Sequence, residues 1–263
     1  MPEYPSSLTD SEWEILEWHL PKNPPGIRGR PRENSRRSII NGILYIIRTG
    51  GAWRMMPNDL PHWKTCYHYF RLWAKQGYWE KIHHAIRDKA RLKVGKKKAP
   101  TAAILDSQSI RTASQPGLRG YDAGKKITGR KRHVLVDTLG FILALKVTTA
   151  DVQDRDGARS LMSTLTSNFG WLKRIWADGG YSGKLVEEVA QIQRHRQIDL
   201  EIVKRSDEIK GFKVLPKRWI VERTFGWLIQ SRRLIRDHEV LIKHSESQIY
   251  LSMTKRMLAR ITA

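Results

Sequence analysis

The hydrophobic pattern of the sequence changes at about residue 101, and no other feature constrains the fold as strongly. Before this point, apolar residues recur at helical spacings, as in helices that bury one face. After it, they form short continuous or alternating runs, which are typical of β-strands. A polar, basic stretch at 93–98 separates the two patterns and indicates a linker. We therefore predict an all-α domain at 1–92, a basic linker at 93–100 and an α/β domain at 101–263.

The composition indicates a folded protein that binds a polyanion. Hydrophobic residues make up 40% of the 263 residues and ten residues are Trp, which is enough apolar material for packed cores. The formal net charge is +22, so the surface must carry a strong positive potential. No apolar stretch is long enough to cross a membrane, since the run at 39–47 is interrupted by Asn41 and Gly42. Nucleic acid is therefore the expected partner, and no membrane partner is expected.

Two further features concern the cellular setting and the type of metal site. The N-terminus lacks the basic segment and apolar core of a signal peptide, so we expect a cytoplasmic protein. Cys66 is the sole cysteine, which excludes an intramolecular disulfide and a cysteine-rich zinc site. A metal in this protein must therefore be bound by oxygen or imidazole nitrogen, and Cys66 is interpreted as a small core residue.

The sequence pattern of the N-terminal part predicts three short helices followed by a fourth. The first begins at the capping-box segment Thr9-Asp10-Ser11-Glu12, the second spans about 35–48, and the third occupies 62–76. Three such helices with a tight turn before the last fit a helix-turn-helix, whose last helix enters the DNA major groove. A plain helical bundle for oligomerisation or packing is the alternative. The fourth helix, at 79–92, leads into the basic linker.

From residue 101 the pattern predicts strand, strand, strand, helix, strand, helix, strand, helix, which is the order of a ribonuclease-H-like domain. Such a domain has a mixed sheet covered on both faces. The segment Thr138-Leu139-Gly140 indicates a hairpin turn. The predicted strands lie at 102–105, 132–137, 141–148, 172–177 and 198–203, and the predicted helices at 154–165, 184–196 and 217–229.

Three carboxylates lie where such a fold would bring them together. Asp106 ends the first strand, Asp178 ends the fourth, and Glu222 lies on the last helix. Mg²⁺ prefers hard oxygen ligands, so a few carboxylates and a substrate phosphate complete its coordination shell, and two ions can share them. Each acid also has a structural interpretation. Asp106 can cap a turn, Asp178 can form an Asx turn, and Glu222 can pair with Arg218 or Arg223.

Other acids of the same domain are rivals for a role in the site. They are Asp137, Asp151, Asp154 and Asp156. Asp137 lies at the predicted hairpin turn and Asp154 can cap a helix, so structural roles are expected for them.

Several segments carry the motifs of a known family. They are Gly51-Ala52-Trp53-Arg54 with Trp63, Ile104-Leu105-Asp106-Ser107-Gln108, Gly129-Arg130-Lys131-Arg132-His133, Ala177-Asp178-Gly179-Gly180-Tyr181, and the run from Arg218 to Leu228. Through these motifs, nearly the whole chain resembles the insertion-sequence transposases of the IS5 group, a branch of the DDE superfamily.

The resemblance implies a metal-dependent DNA transposase with a ribonuclease-H-like catalytic domain. In such an enzyme Asp106, Asp178 and Glu222 would hold two Mg²⁺ ions, for which Mn²⁺ can substitute. The expected partner is double-stranded DNA, both the ends of the mobile element and the target. The resemblance also implies a homodimer or higher oligomer on DNA, in the bacterial cytoplasm and on the nucleoid when DNA is bound.

One pattern of related transposases is only partly present. A Tyr, an Arg and a Lys flank their catalytic Glu at set spacings, and here Arg218 fits, whereas Leu215 and Ile229 stand at the other two positions. The roles of the missing Tyr and Lys are therefore not carried over, and Arg232 and Arg233 are alternative sources of charge for the DNA backbone.

Basic residues in four regions are predicted to contact DNA. They belong to the basic loop after the first helix, the polar face of the third helix, the cluster before the second strand, and the last predicted helix with the segment after it. A solvated charge run is the alternative for the cluster before the second strand. The predicted contacts are Arg28, Arg30, Arg32, Lys64, Thr65, His68, Arg71, Lys125, Lys126, Arg130, Lys131, Arg132, Arg218, Arg223, Arg232 and Arg233.

Two other functions are compatible with the same residues. One is a structure-specific nuclease on the same fold, against which the N-terminal domain argues. The other is a catalytically silent DNA-binding regulator derived from a transposase, which would be marked by the loss of an acid. None of the three acids is lost.

Overall fold

The computed structural model describes residues 4–21, 33–114, 117–168, 171–183, 186–187, 198–203 and 217–263. Arg28, Arg30 and Arg32 of the basic loop, Leu215 and most of the helix predicted at 184–196 lie outside these residues. In the described part of the chain, no helix combines the length and the apolar character needed to cross a membrane.

The chain forms two compact units. The helical unit contains Met1–Lys96, Leu228–Ile235 and Lys243–Ala263, and the sheet unit contains Lys97–Trp227 and Arg236–Ile242. The first change of unit falls within the stretch predicted as a linker. The sequence analysis assigned everything after this linker to one domain, whereas residues 243–263 pack in the helical unit.

The helices and strands are named here in chain order. The helices are α1 (Asp10–Glu17), α2 (Arg36–Thr49), α3 (Trp63–Lys75), α4 (Tyr78–Lys93), α5 (Asp154–Asn168), α6 (Arg218–Ile229) and α7 (Ile242–Thr262). The strands are β1 (Ala102–Arg111), β2 (Gly120–Asp122), β3 (Ile127–Asp137), β4 (Ile142–Thr149), β5 (Arg174–Asp178) and β6 (Asp199–Val203).

Local signals set the ends of the first two helices. Thr9 Oγ1 accepts a hydrogen bond from Glu12 N at 3.2 Å and Glu12 Oε2 accepts one from Thr9 N at 2.9 Å, so the predicted capping box is present. Ser35 caps α2 by accepting a hydrogen bond from Ser38 N at 3.0 Å. Gly50 ends α2 in the left-handed conformation, with φ at 77°.

Aromatic packing forms the core of the helical unit. Phe70 and Trp73 of α3 and Trp79 of α4 are buried. The rings of Trp73 and Trp79 lie 5.1 Å apart, and Trp79 Nε1 donates a hydrogen bond to Phe70 O at 3.1 Å. Cys66 is fully buried, as predicted, and burial raises the pKa of its thiol to about 12.

The last helix, α7, completes the helical unit. Lys255 Nζ lies 2.7 Å from both carboxylate oxygens of Glu12 on α1, whose side chain is only 2% exposed. Tyr250 donates a hydrogen bond to Glu80 Oε1 on α4 at 3.2 Å. α7 therefore packs with the N-terminal helices because its polar groups find their partners there.

The sheet unit is built on a mixed sheet, which has six strands in the described residues. Their order is β2-β3-β1-β5-β6, and β4 also pairs with β3. β3 is antiparallel to β1, β2 and β4, whereas the β1–β5 and β5–β6 pairs are parallel. The sequence analysis predicted five of these strands and missed β2, which is too short to carry a pattern.

Strand β3 begins earlier than predicted. It starts at Ile127 rather than at Arg132 and so includes Arg130 and Lys131. Arg130, Lys131 and Arg132 are buried. Arg130 Nη1 lies 3.1 Å from Asp237 Oδ2. Arg130 and Lys131 have internal partners that compensate for the lost hydration, whereas in the described residues the guanidinium nitrogens of Arg132 have no hydrogen-bond partner.

Helix α5 covers one face of the sheet. Leu105 and Leu135 of the sheet form a core cluster with Ala158 and Leu161 of α5. Helix α6 contacts the β3–β4 hairpin, where Thr224 Oγ1 donates a hydrogen bond to the backbone carbonyl of the hairpin glycine at 2.8 Å.

The contact between α5 and β3 is close enough to test by substitution. A Cβ atom at Gly157 would lie 2.1 Å from Cε1 of His133. We predict that Gly157→Ala lowers the free energy of unfolding by about 1–3 kcal/mol, because the buried ring and the helix must move apart. Urea denaturation measures this change.

Gly226→Ala on α6 is the matched control, since a Cβ atom there meets nothing within 4 Å. This substitution should raise the free energy of unfolding by about 0.5–1 kcal/mol through the higher helix propensity of Ala. Equal stability of Gly157→Ala and the unmodified protein would contradict the close packing.

Candidate active site

Asp106 and Asp178 lie on neighbouring parallel strands and project from the same face of the sheet. β1 and β5 pair in parallel up to Ile104 and Trp176, and the same register continued by two residues sets Asp106 opposite Asp178. Leu105, the residue before Asp106, belongs to the core cluster packed against α5. Because successive side chains of a strand alternate between the two faces, both aspartates face away from α5.

Arg218 of α6 connects Asp178 with Glu222. Its Nη2 atom lies 3.6 Å from Asp178 Oδ2 and 3.8 Å from Glu222 Oε1. The separation of Asp178 Oδ2 from Glu222 Oε1 is therefore no larger than the sum of their distances from Arg218 Nη2. The structure thus brings the three predicted acids into one area, with Asp106 beside Asp178 and Asp178 joined to Glu222 through one guanidinium.

The environment of Asp106 favours its protonated form. Burial raises the pKa of its carboxyl to about 6, and the negative charge of Asp178 adds to the increase. A hydrogen bond from Ser107 N at 2.7 Å and the charges of Arg218 and Lys125 oppose it. A cation that binds Asp106 near neutral pH must therefore displace a proton from part of the molecules.

The chemistry of the three acids suits a hard divalent cation, since all the donors are carboxylate oxygens. In the residues that the structure describes, no group of three or more His, Cys, Asp or Glu side chains is placed so that it could hold a metal ion. In this area the guanidinium of Arg218 contacts both Asp178 and Glu222. The donors fit a divalent cation, and Arg218 occupies the space between two of them.

A second polar cluster lies on the α5 side of β1. Ser107 Oγ donates a hydrogen bond to Asp154 Oδ1 at 2.8 Å. Lys131 Nζ lies 3.0 Å from the same oxygen and 3.3 Å from Asp122 Oδ2. This buried network ties β1, β3 and α5 together directly behind Asp106.

This cluster was not predicted from the sequence, and Tyr181 lies beside it. Tyr181 is buried, and its pKa is raised by burial first and then by the charges of Asp106 and Asp154. The signal that could have revealed the cluster is the pair Ser107 and Ser109, two polar residues in the core-facing register of β1.

Three of the four rival acids, Asp137, Asp154 and Asp156, have structural partners. Asp137 Oδ1 accepts hydrogen bonds from Leu139 N and Phe141 N, both at 2.9 Å, and so shapes the predicted hairpin turn. Asp156 pairs with Arg159 one turn along α5.

The basic segment of β3 does not form the surface cluster that was predicted. Arg130 donates a hydrogen bond to Val240 O at 2.9 Å in addition to its ion pair with Asp237. Arg132 is fully buried, and burial lowers the pKa of its guanidinium to about 10. The charge of Asp237 opposes part of this decrease. These three side chains are enclosed in the sheet unit, and contact of Arg130, Lys131 and Arg132 with DNA stays a prediction.

The basic residues of α6 and of the segment after it, which were predicted to contact DNA, differ in their exposure and partners. Arg223 lies over the ring of Trp219 at 4.5 Å from the ring centroid and donates a hydrogen bond to Leu139 O at 3.0 Å. Arg232 is exposed, whereas Arg233 is buried in the helical unit and donates to Gly51 O at 2.8 Å.

Other predicted DNA contacts lie on the surface. Lys125 and Lys126 are exposed at the turn between β2 and β3. On α3, three of the four predicted contacts are exposed and Thr65 is half-buried. The exposed positions on α3 are Lys64, His68 and Arg71.

The pKa of Asp106 makes a prediction about stability. The folded protein holds the Asp106 proton more tightly than the unfolded chain, so stability is lost as the pH rises from about 4 to about 6. We predict that Asp106→Asn, measured with a chelator, raises the free energy of unfolding by about 1–3 kcal/mol near pH 8 and by much less near pH 4. Urea denaturation at several pH values provides the measurement.

Asp122→Asn is the control, for which we expect the opposite change in the free energy of unfolding. Burial acts to raise the pKa of Asp122, but hydrogen bonds from Ser109 and Lys125 N and the charge of Lys131 bring it down to about 2. The ionised carboxylate therefore stabilises the fold above about pH 4, and its removal should lower stability near pH 8. A loss of stability in both variants would contradict the environment described for Asp106.

Two family models match this chain. The family model "Transposase DDE domain" matches residues 97–255, and "Putative transposase of IS4/5 family" matches residues 8–83. The "Insertion element IS402 uncharacterized 16.2 kDa protein" of Burkholderia cepacia is 30% identical over 108 residues, which cover 40% of this chain and 72% of the relative. No solved structure matches the chain.

Two further relatives match shorter parts of their own length. The "Putative transposase for insertion sequence element IS402" of Burkholderia cepacia is 34% identical over 113 residues, 40% of this chain and 52% of the relative. The "Uncharacterized protein y4sN" of Sinorhizobium fredii (strain NBRC 101917 / NGR234) is 31% identical over 70 residues, 27% of this chain and 54% of the relative. This chain thus spans about half the length of these two relatives. Since the DDE-domain model covers more than half of the chain, the chain belongs to the insertion-sequence transposases that carry a transposase DDE domain.

Proposed function

We propose that this protein cleaves DNA at the terminal inverted repeats of an insertion sequence and joins the freed 3′ hydroxyl ends to target DNA. The observation that carries the proposal is the arrangement of Asp106, Asp178 and Glu222 in one area of the sheet unit, within the segment matched by the DDE-domain model. The raised pKa of Asp106 adds support, because carboxyl groups with strongly shifted pKa values are concentrated at functional sites.

The sheet order supports a ribonuclease-H-like catalytic domain. The strands β4-β3-β1 are antiparallel to one another, and β5 and β6 continue the sheet in parallel with β1. Helix α5 covers the face opposite the acids, and α6 carries Glu222. Asp178 then lies at the end of one central strand, Asp106 lies within the neighbouring strand, and Glu222 lies on an adjoining helix.

The helical unit would recognise the ends of the element. Helix α3 presents Lys64, His68, Arg71 and Lys75 as exposed basic positions at helical spacing, while its other side packs Phe70 into the aromatic core. A helix with one buried aromatic face and one basic face can enter a major groove, which supports a helix-turn-helix in which α3 is the reading helix.

In this proposal Asp106, Asp178 and Glu222 hold two divalent cations, with Mg²⁺ as the expected ion and Mn²⁺ as a substitute. When bound, such ions activate the attacking oxygen and stabilise the leaving oxygen of an in-line displacement. Asp106 is held in place by its strand and its buried surroundings. The side chain of Glu222 is 59% exposed, so it can adjust to the incoming DNA.

The remaining groups would position DNA. Lys125 and Lys126 lie exposed at the turn between β2 and β3, and contacts from them to phosphate would orient the duplex. Since two ends of an element must react together, we expect a homodimer or higher oligomer to assemble on DNA.

Substitution of the acids tests the catalytic role. Asp106→Asn, Asp178→Asn and Glu222→Gln should each reduce cleavage of an end fragment by at least about 10²–10³-fold, because each removes charge that stabilises the transition state. Binding to the same fragment should persist, since the basic surface is intact. Cleavage and gel-shift assays with Mg²⁺ measure both properties.

Asp156→Asn is the control for these variants. It removes a carboxylate from α5, which covers the opposite face of the sheet, and should leave cleavage unchanged. Cleavage at the normal rate by one of the three site variants would exclude that residue from the site. Loss of binding together with cleavage would assign it a structural role.

Salt dependence tests the role of α3. Each phosphate contact contributes about 0.9 to the slope of log affinity against log salt concentration. We predict that Lys64→Gln and Arg71→Gln each weaken end binding, and that the slope decreases by about 0.9 for a residue that contacts phosphate. The control is Lys81→Gln on α4, which should leave affinity and slope unchanged. Equal affinities for all three variants would remove α3 from the DNA interface.

A further inference from the structure

Arg218 has an unusual set of partners for a residue next to three predicted metal ligands. Its Nη2 atom contacts Asp178 Oδ2 at 3.6 Å and Glu222 Oε1 at 3.8 Å. One carboxylate belongs to the end of β5 and the other to the next turn of α6. A single guanidinium nitrogen therefore neutralises charge on two elements, as a cation shared by two carboxylates does.

Another cation can replace Arg218 in its two ion pairs. Both distances are longer than the usual length of a charge-assisted hydrogen bond, so the ion pairs are mainly electrostatic. The side chains of Arg218, Asp178 and Glu222 are 27%, 31% and 59% exposed, and solvent screens pairs of this exposure. Arg218 can thus leave the carboxylates at a modest cost when a stronger cation arrives.

The electrostatic setting favours a cation at this place. Asp106, on the neighbouring strand, adds a third carboxyl group, and the charge of Asp178 already acts to raise its pKa. Without Arg218, the carboxylates of Asp178 and Glu222 would repel each other and would attract a divalent ion more strongly.

We propose that Arg218 is a built-in competitor for the divalent cation, because it pairs with the Asp178 and Glu222 oxygens that the metal would bind. This inference rests on the proposed function, since it takes the three acids as metal ligands. Metal binding then requires the guanidinium to leave Asp178 and Glu222, and the released side chain becomes available to a DNA phosphate close to the acids. Metal and DNA therefore favour each other's binding, as reciprocal coupling between two ligands requires.

Direct titration of Mn²⁺ into the full chain without DNA tests the competition. By isothermal titration calorimetry, Arg218→Gln should bind Mn²⁺ on the order of tenfold more tightly than the unmodified protein, because two screened ion pairs no longer oppose the metal. Arg218→Lys should lie between the two, since it keeps the charge but cannot span both carboxylates as well. Circular dichroism and thermal melting establish that each variant is folded.

Arg174→Gln is the matched control. Arg174 also pairs with two carboxylates of the sheet unit, Asp199 at 3.3 Å and Glu201 at 3.7 Å, but it lies at the start of β5, whereas Asp178 lies at its end. Removal of this arginine should leave the Mn²⁺ affinity unchanged, which separates local competition from a general effect of net charge.

Asp178→Asn distinguishes failure of this inference from failure of the proposed function. Mn²⁺ binding that Asp178→Asn abolishes, and that Arg218→Gln strengthens, supports both. Mn²⁺ binding that Asp178→Asn abolishes but that Arg218→Gln leaves equal or weaker overturns the competition and keeps the metal site. Absence of Mn²⁺ binding in the unmodified protein and in Arg218→Gln overturns both. Equal strengthening by Arg174→Gln also overturns the competition.

Discussion

The parallel pairing of β1 with β5 is the constraint on which the candidate active site depends. It brings two distant parts of the chain side by side, so that Asp106 and Asp178 share one face of the sheet. Burial and the neighbouring charge then raise the pKa of Asp106 to about 6, an unfavourable arrangement that the strands and the core behind them enforce. Arg218 compensates part of this charge, and a divalent cation would compensate more of it.

The net charge of +22 is not a simple measure of the DNA-binding surface. Arg130 and Asp237 form an ion pair in which the side chains are 1% and 2% exposed, and Lys131 is enclosed by Asp122 and Asp154. Such buried pairs add little net stability compared with apolar packing, but breaking one is costly, so they favour one specific arrangement. Here they fix the segment around residue 237 against β3 and hold α5 behind the acids. Of the predicted DNA contacts that the structure describes, charged residues are exposed on α3, at the β2–β3 turn and at Arg232.

Much of the fold follows from local patterns that can be recognised in the sequence. The capping box at Thr9 and Glu12 and the left-handed Gly50 mark helix ends through contacts a few residues apart. Alternating apolar residues indicated the β3–β4 hairpin, whose turn is shaped by Asp137. Cys66 was assigned to a core because it lies on an aromatic helix face. The place of Asp178 at a strand end and of Glu222 on a helix is equally local. The prediction that Asp106 ends its strand was wrong, since β1 continues to Arg111.

Other properties depend on partners that are far away in the chain, and local patterns carry no information about them. Arg130 is buried because Asp237 meets it across the sheet unit, and α7 joins the helical unit because Lys255 reaches Glu12. Pairing of this kind is decided by burial and by the cost of an unpaired charge, which exist only after the chain has folded. The sequence by itself therefore indicated the family, the candidate acids and most of the elements, but not β2 or α7. Only the tertiary structure decided which charges are enclosed and that Arg218 lies between two of the acids.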